Sequence, residues 1–251
     1  MIQFRRLFLS AFISIFALVS VGSALGVEFE HNSICGIDER RNEFFSPVGV
    51  VRELEHKDTS SYCTVTLVSD SCAVTAGHCL HLLGEAEFFA SNGLDDGRMG
   101  AFKYAVVPGS VRALQTRIGN DWAVMKLKPN SKTGMLPGKV HGFVDVELNS
   151  QHESPSRLYT YSARKVQGHR FESVGADGFV LWTQGNIMFH DLDTDRGASG
   201  SLIFDAATDK AVAIHTHGGC DTMQNNKATY ISQVPFLVRS IEMCRAEEGS
   251  F

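Results

Sequence analysis

Past its first two dozen residues, the chain is a succession of short apolar runs separated by Gly, Asn, Asp and Pro. Runs with β-branched or alternating apolar character cover 63–69, 72–76, 102–107, 122–127, 142–148, 157–163, 178–182, 186–192, 201–204 and 211–216. Strands at this spacing, without helical patterns between them, predict an all-β sandwich or barrel. One helix is expected, at 234–245. There Val234, Leu237, Val238 and Ile241 make an apolar stripe and Pro235 suits the first turn. The stretch 129–139 is rich in Pro, Gly and polar residues and divides the chain into halves of about six strands each. The turn-rich stretch 91–100 reads as a hairpin tip or surface loop.

The start of the chain follows another pattern. Arg5 and Arg6 precede an apolar run over 7–21, and small residues Gly22 and Ala24 follow. This is the layout of a secretory signal peptide over 1–24, and the run is short for a membrane span of about 20 apolar residues. A secreted or periplasmic protein is expected, with 25–43 as an N-terminal segment, in part a propeptide. Of the 251 residues, about 225 remain, enough for one large β domain or two lobes. Net charge is −5 and no basic stripe suggests nucleic acid. No later apolar segment is long enough to cross a bilayer, so no membrane contact is expected after signal cleavage. The protein is expected to be a monomer.

Six cysteines, at 35, 63, 72, 79, 220 and 244, suggest disulfides in a secreted chain. No C-x-x-C occurs, and adjacent His78 and Cys79 suit one tetrahedral ion poorly, so no metal is expected. His215 and His217 alternate on a strand and would share a face, but no third ligand is evident. His81 and His190 read as loop or surface residues, and Trp122 and Trp182 as core.

Three stretches carry the candidate chemistry. "VTAGHC" ends in His78 and Cys79, "NDWAVMKL" opens with Asp121, and "DRGASGSLIF" holds Ser199 before a strand. Each puts a catalytic residue type where a strand meets a loop. A serine hydroxyl is a weak nucleophile that needs a base within reach, and histidine titrates near working pH. A buried carboxylate fixes the imidazole tautomer, and two backbone N–H groups can stabilise an oxyanion. Gly197 frees the backbone for that aim.

The order His, Asp, Ser resembles that of the chymotrypsin clan. "TAGHC" is similar to its histidine motif, "DWAVMKL" to its aspartate motif and "GASGS" to its serine motif. The segments "CGIDERR", "YCTVTLVS", "HDLDTDRGASGSLIF" and "VAIHTHGG" resemble the bacterial glutamyl-endopeptidase branch most closely. The resemblance implies two six-stranded antiparallel β-barrels, the first over 44–135 and the second over 136–251 with the C-terminal helix. It implies a serine endopeptidase without a cofactor, acting on protein or peptide substrates. His78, Asp121 and Ser199 would form the triad, and Gly197 and Ser199 the oxyanion hole. His215, Thr216 and His217 would run beside the substrate as an edge strand.

The resemblance also implies a Cys63–Cys79 disulfide. Four cysteines then allow three pairings, of which Cys220–Cys244, stapling the helix to the pocket loop, and hence Cys35–Cys72, are expected. Gly77 in place of the usual alanine counts as a small change. Ala198 replaces the acidic or amide residue that usually precedes the nucleophile, so a trypsin-like activation salt bridge has no acceptor there. Two signals for specificity conflict. His215 and Thr194 map to carboxylate-binding positions of the glutamyl branch, whereas Asp193 stands where trypsin-like enzymes select basic side chains. Acidic specificity is favoured. The alternatives are basic specificity through Asp193 and a non-catalytic protein that binds peptides.

Overall fold

The computed structural model describes residues 33–52, 61–88, 102–149, 155–166, 171–220 and 225–248. The expected signal segment and the turn-rich stretch 91–100 lie outside them. The first half supplies β1 (Arg41–Asn42), β2 (Val48–Arg52), β3 (Tyr62–Leu67), β4 (Cys72–Thr75), β5 (Glu85–Phe88), β6 (Lys103–Ala105), β7 (Arg112–Arg117) and β8 (Asn120–Lys126). After a short helix α1 (Pro137–His141) come β9 (Arg157–Lys165), β10 (Phe171–Gln184), β11 (Ile187–His190), β12 (Leu202–Asp205), β13 (Lys210–His217) and β14 (Asn226–Tyr230). Helix α2 (Pro235–Ala246) ends the described chain.

All ladders between these strands are antiparallel. The second half orders its strands β10-β11-β14-β13-β12-β9, and pairing of β9 with β10 closes a six-stranded barrel; β1 adds to its edge. The first half is a seven-stranded sheet ordered β6-β5-β2-β3-β4-β8-β7. A single bridge, Val106 to Leu127, returns the end of β6 to the end of β8. Closing a sheet leaves few unpaired edges.

The sequence explains where the core lies. Val65, Leu67, Ala73, Met125 and Leu127 fill the first half, and Leu158, Val180, Met188, Ile203 and Val212 fill the second. A third cluster joins them. Val74, Trp122 and Val124 pack with Leu202, Phe204 and Ile214, and Leu237 and Ile241 of α2 cover it. The two halves therefore share one close-packed seam, which fixes their relative position to the precision a side-chain constellation needs.

Several expectations need correction. The run 142–148 is not a strand. Pro137 opens α1, Gly142 at φ 71° ends it, and the chain then lies along the seam with Val144 and Val146 buried and Phe143 and Asp145 outside. Its alternation is satisfied by packing and by one parallel bridge, Val146 to Ala211. Trp182 is 44% exposed at the end of β10, stacked on Phe189 at 4.5 Å. The disulfides are Cys63–Cys79, Cys35–Cys220 and Cys72–Cys244, not Cys220–Cys244 and Cys35–Cys72. The stripe on α2 packs toward β4 and β8, which brings Cys244 to Cys72. Cys220, beyond β13, instead meets the N-terminal segment.

Candidate active site

His78 sits in a 3-10 turn, Gly77–Leu82, that follows β4, and the Cys63–Cys79 disulfide ties this turn to β3. That bridge leaves neither Cys63 nor Cys79 as a thiolate beside His78 for a metal. Asp121 opens β8 and its side chain is 4% exposed. It grips the turn twice: Oδ1 accepts the backbone N–H of His78 at 2.8 Å, and Oδ2 lies 2.7 Å from His78 Nδ1. The Gly77 substitution is not small here. A Cβ at that position would stand 2.3 Å from Leu114 O and 2.9 Å from Asp121 Oδ1, so the close approach needs glycine. Thr229 of the second barrel holds the aspartate from behind, its hydroxyl donating to Asp121 O at 3.0 Å. Burial alone would raise the Asp121 carboxyl. The hydrogen bonds and charge of His78, with a smaller contribution from His217, hold it below its ordinary value.

Ser199 lies on the loop between β11 and β12, across the seam from β3. The loop is fixed at almost every residue. Thr64 donates its backbone N–H to Ser199 O at 2.9 Å and its hydroxyl to Gly197 O at 2.7 Å. Tyr62 donates its hydroxyl to Arg196 O at 2.9 Å, and Ser201 donates its hydroxyl to Ala198 O at 2.8 Å. Gly197 has φ 87° and rests on the Tyr62 ring, where a Cβ would stand 1.9 Å from Cε2. The amide hydrogens follow a telling pattern. Arg196 donates to Asp195 Oδ1, Ala198 to Asp195 O, Gly200 to His215 O and Ser201 to Ala198 O. Among residues 196–201, the N–H groups of Gly197 and Ser199 alone find no acceptor among the described residues. The Ser199 hydroxyl and the Nε2 edge of His78 also have no protein partner.

Beside His78 and Asp121 opens a cleft of about 540 Å³, walled by Gln115 and Arg117 of β7 and by Thr216 and His217 of β13. A larger cleft, about 750 Å³, lies elsewhere and includes none of the triad candidates. β13 does not carry its two histidines on one face. The ladder to β14 slips between His215 and His217, which admits an extra residue. His215 is buried 3.2 Å from His190 Nε2, whereas His217 leans toward His78 and Asp121, its Nδ1 4.0 Å from Asp121 Oδ2 and its ring 6.1 Å from that of His78. His190 is not a surface residue: it is fully buried. Burial, with His215 and Lys227 adding to it, holds His190 well below its ordinary value. Burial, then the neighbouring His217 and His78, pushes His215 down to about 3. Both rings are neutral near pH 7.

Asp193 and Thr194 are occupied by the N-terminal segment. The two Asp193 oxygens accept the backbone N–H groups of Cys35 at 2.7 Å and Glu39 at 2.9 Å. Thr194 bridges to Ser33, and Asn226 donates to Ser33 O, Leu192 O and Thr194 Oγ1. Asn226, Tyr62, Thr64 and Thr229 were not singled out in the sequence. Asn226 bonds Ser33 across 193 residues, and the Tyr62, Thr64 and Thr229 hydroxyls bond partners 108 to 134 residues away, so no local pattern marks them.

Comparison with known proteins follows the geometry. A glutamyl endopeptidase solved with the additive MPD superposes with a TM-score of 0.65 at 15% identity, over 85% of this chain and 99% of that one. The protease Anisep from Arthrobacter nicotinovorans superposes at 0.58 and 16% identity, over 82% and 99%. The chain has the chymotrypsin-like fold. A scabies mite inactivated protease paralogue shares the chymotrypsin-like fold too, at 0.58 and 14% identity over 81% and 98%. No family model and no curated protein matches the sequence.

Proposed function

We propose that the chain is a secreted serine endopeptidase that cleaves beside acidic residues. The observation that carries this reading is the pairing of a doubly gripped His78–Asp121 dyad with a rigid Ser199 loop whose unused amide hydrogens are those of Gly197 and Ser199. In the reaction, Ser199 Oγ forms a bond to the substrate carbonyl carbon while His78 Nε2 takes the hydroxyl proton. The Gly197 and Ser199 N–H groups receive the developing oxyanion. His78 then gives the proton to the leaving amine as the C–N bond breaks. Water, deprotonated by the same imidazole, releases the acyl group and restores Ser199. Asp121 keeps Nδ1 protonated and stabilises the imidazolium.

The acidic preference is supported by the buried histidine pair. His190 Nδ1 has no hydrogen-bond partner. An orphaned lone pair is tolerated better than an orphaned N–H, so the shared proton belongs on His190 Nε2. His215 Nδ1 then accepts, and His215 Nε2 carries a proton for a substrate acceptor. Asp193, spent on Cys35 and Glu39, makes basic selection the weaker alternative. Secretion is supported by the N-terminal pattern of 1–24 and by three disulfides.

A peptide library digested by the protein tests the reading. Cuts concentrated after Glu or Asp are expected, with none from Ser199→Ala. Cuts after Lys or Arg would favour Asp193. Peptide binding without cleavage would favour the non-catalytic reading, which draws on the free Ser199 hydroxyl.

A further inference from the structure

The loop that carries Ser199 has one support for which the sequence motifs offer no counterpart. Arg40 reaches out of the N-terminal segment and donates from Nη1 to Asp195 Oδ2 at 3.0 Å. Its side chain is only 10% exposed, and it is held in place by Asp38, whose two carboxylate oxygens accept Nε at 2.9 Å and Nη2 at 2.8 Å. Such forked arginine–carboxylate contacts fix direction as well as charge. The strap that delivers Arg40 is anchored on both sides. Upstream, the Cys35–Cys220 disulfide and the Asp193 carboxylate hold residues 35–39. Downstream, β1 pairs Arg41 with Gly175 of β10. Asp195 is itself a hub of the loop: its carbonyl accepts the Ala198 N–H and its Oδ1 the Arg196 N–H. The two unbonded amides, Gly197 and Ser199, flank Ala198 in this turn.

We propose that the Arg40–Asp195 ion pair positions the oxyanion loop, replacing a salt bridge next to the nucleophile that Ala198 cannot form. Arg40 is thus a positioning residue: it touches no reacting atom and acts by holding Asp195, and through it the Gly197 and Ser199 amides. The guanidinium belongs to a residue inside the chain, so the contact forms without a newly created amino terminus. The hydrogen bonds of Asp38, ahead of those of Asp195, hold the Arg40 guanidinium above its ordinary value.

The kinetic part of this inference rests on the proposed proteolysis; its structural part does not. Arg40→Met, Asp195→Asn and the double variant would be compared with the unaltered protein. Backbone amide exchange over 195–200 should rise at least tenfold in each single variant while the thermal midpoint moves by only a few degrees. For peptide hydrolysis, kcat should fall at least tenfold with KM within about twofold. The double variant should be no worse than either single one, as for groups acting as a unit. Arg40→Lys should recover part of kcat. Unchanged exchange over 195–200 in Arg40→Met overturns the proposal, whether or not the protein cleaves peptides. So does a loss that appears in KM alone, or additive losses in the double variant. If the unaltered protein hydrolyses no peptide, the proposed function fails while the exchange comparison still decides this contact.

Discussion

Asp121 does three things with one carboxylate: it receives the His78 N–H, aligns Nδ1 and faces His217. Asparagine at this position keeps the shape but presents an amide N–H to Nδ1, which selects the wrong imidazole tautomer. Asp121→Asn is therefore expected to lower kcat by about 10⁴-fold with the fold intact. Steady-state hydrolysis alongside circular dichroism checks this; a variant within tenfold of the unaltered protein would remove Asp121 from the mechanism. At this scale the sequence was most readable where polar residues sit at the ends of apolar runs, as His78 and Asp121 do, and these two meet. It was least readable where a residue's role depends on a distant partner. Asp193 looks like a pocket residue until Cys35 and Glu39 are seen to use both of its oxygens. His190 looks like a surface residue until His215 is found against it.

Elements were legible where an unbroken apolar run marks them, and burial alone was not enough: β2 (VGVVR) and β14 (NKATY) are mostly buried and were not read as strands. β3, β4, β8 and β13 are mostly buried and their apolar runs were recognised. β7 is exposed at five of its six positions, so its sequence RALQTR has no apolar alternation to read. β5, with the sequence EAEF, keeps only Ala86 and Phe88 inside. The run 142–148 erred in the opposite direction, since packing against the seam imposes the same alternation as a ladder. The disulfides depend on element placement and could not be paired from spacing. Cys72–Cys244 joins β4 to α2 across 172 residues and reinforces the apolar contact of Leu237 and Ile241. Replacing both cysteines by serine should cost about 2–5 kcal/mol. Urea unfolding measures it, and an unchanged midpoint would show that α2 is held by packing alone.

The described residues form two curved sheets that share one packed seam, and His78, Asp121 and Ser199 lie along it. An all-β chain in two halves was legible because the strand runs recur on both sides of a polar stretch, and the resemblance to the chymotrypsin clan implied the two barrels. The shared core was not, because it needs both halves at once. Among the described residues, the buried histidines His141, His190 and His215 carry a pH signature. Burial lowers His141 to about 4 and His215 to about 3, and His190 lies well below its ordinary value. The unfolded chain binds protons at these sites from about pH 6.5 downward while the folded one does not. Their contribution to stability is complete above that pH and is lost as the pH falls toward the folded values. As the pH falls from 6.5 to 5, proton uptake on unfolding at these three sites should rise from about one and a half to nearly three. The slope of unfolding free energy against pH measures this uptake, and a flat profile would contradict neutral buried histidines.

The central claim is that Ser199 is a nucleophile activated by His78 in a prebuilt oxyanion loop. Reaction of the folded, disulfide-intact protein with a fluorophosphonate probe, followed by mass mapping of the adduct, tests it most directly. One adduct per chain, on Ser199 and lost in both Ser199→Ala and His78→Ala, is the predicted result. No adduct on the folded protein, or an adduct on another residue, would contradict it.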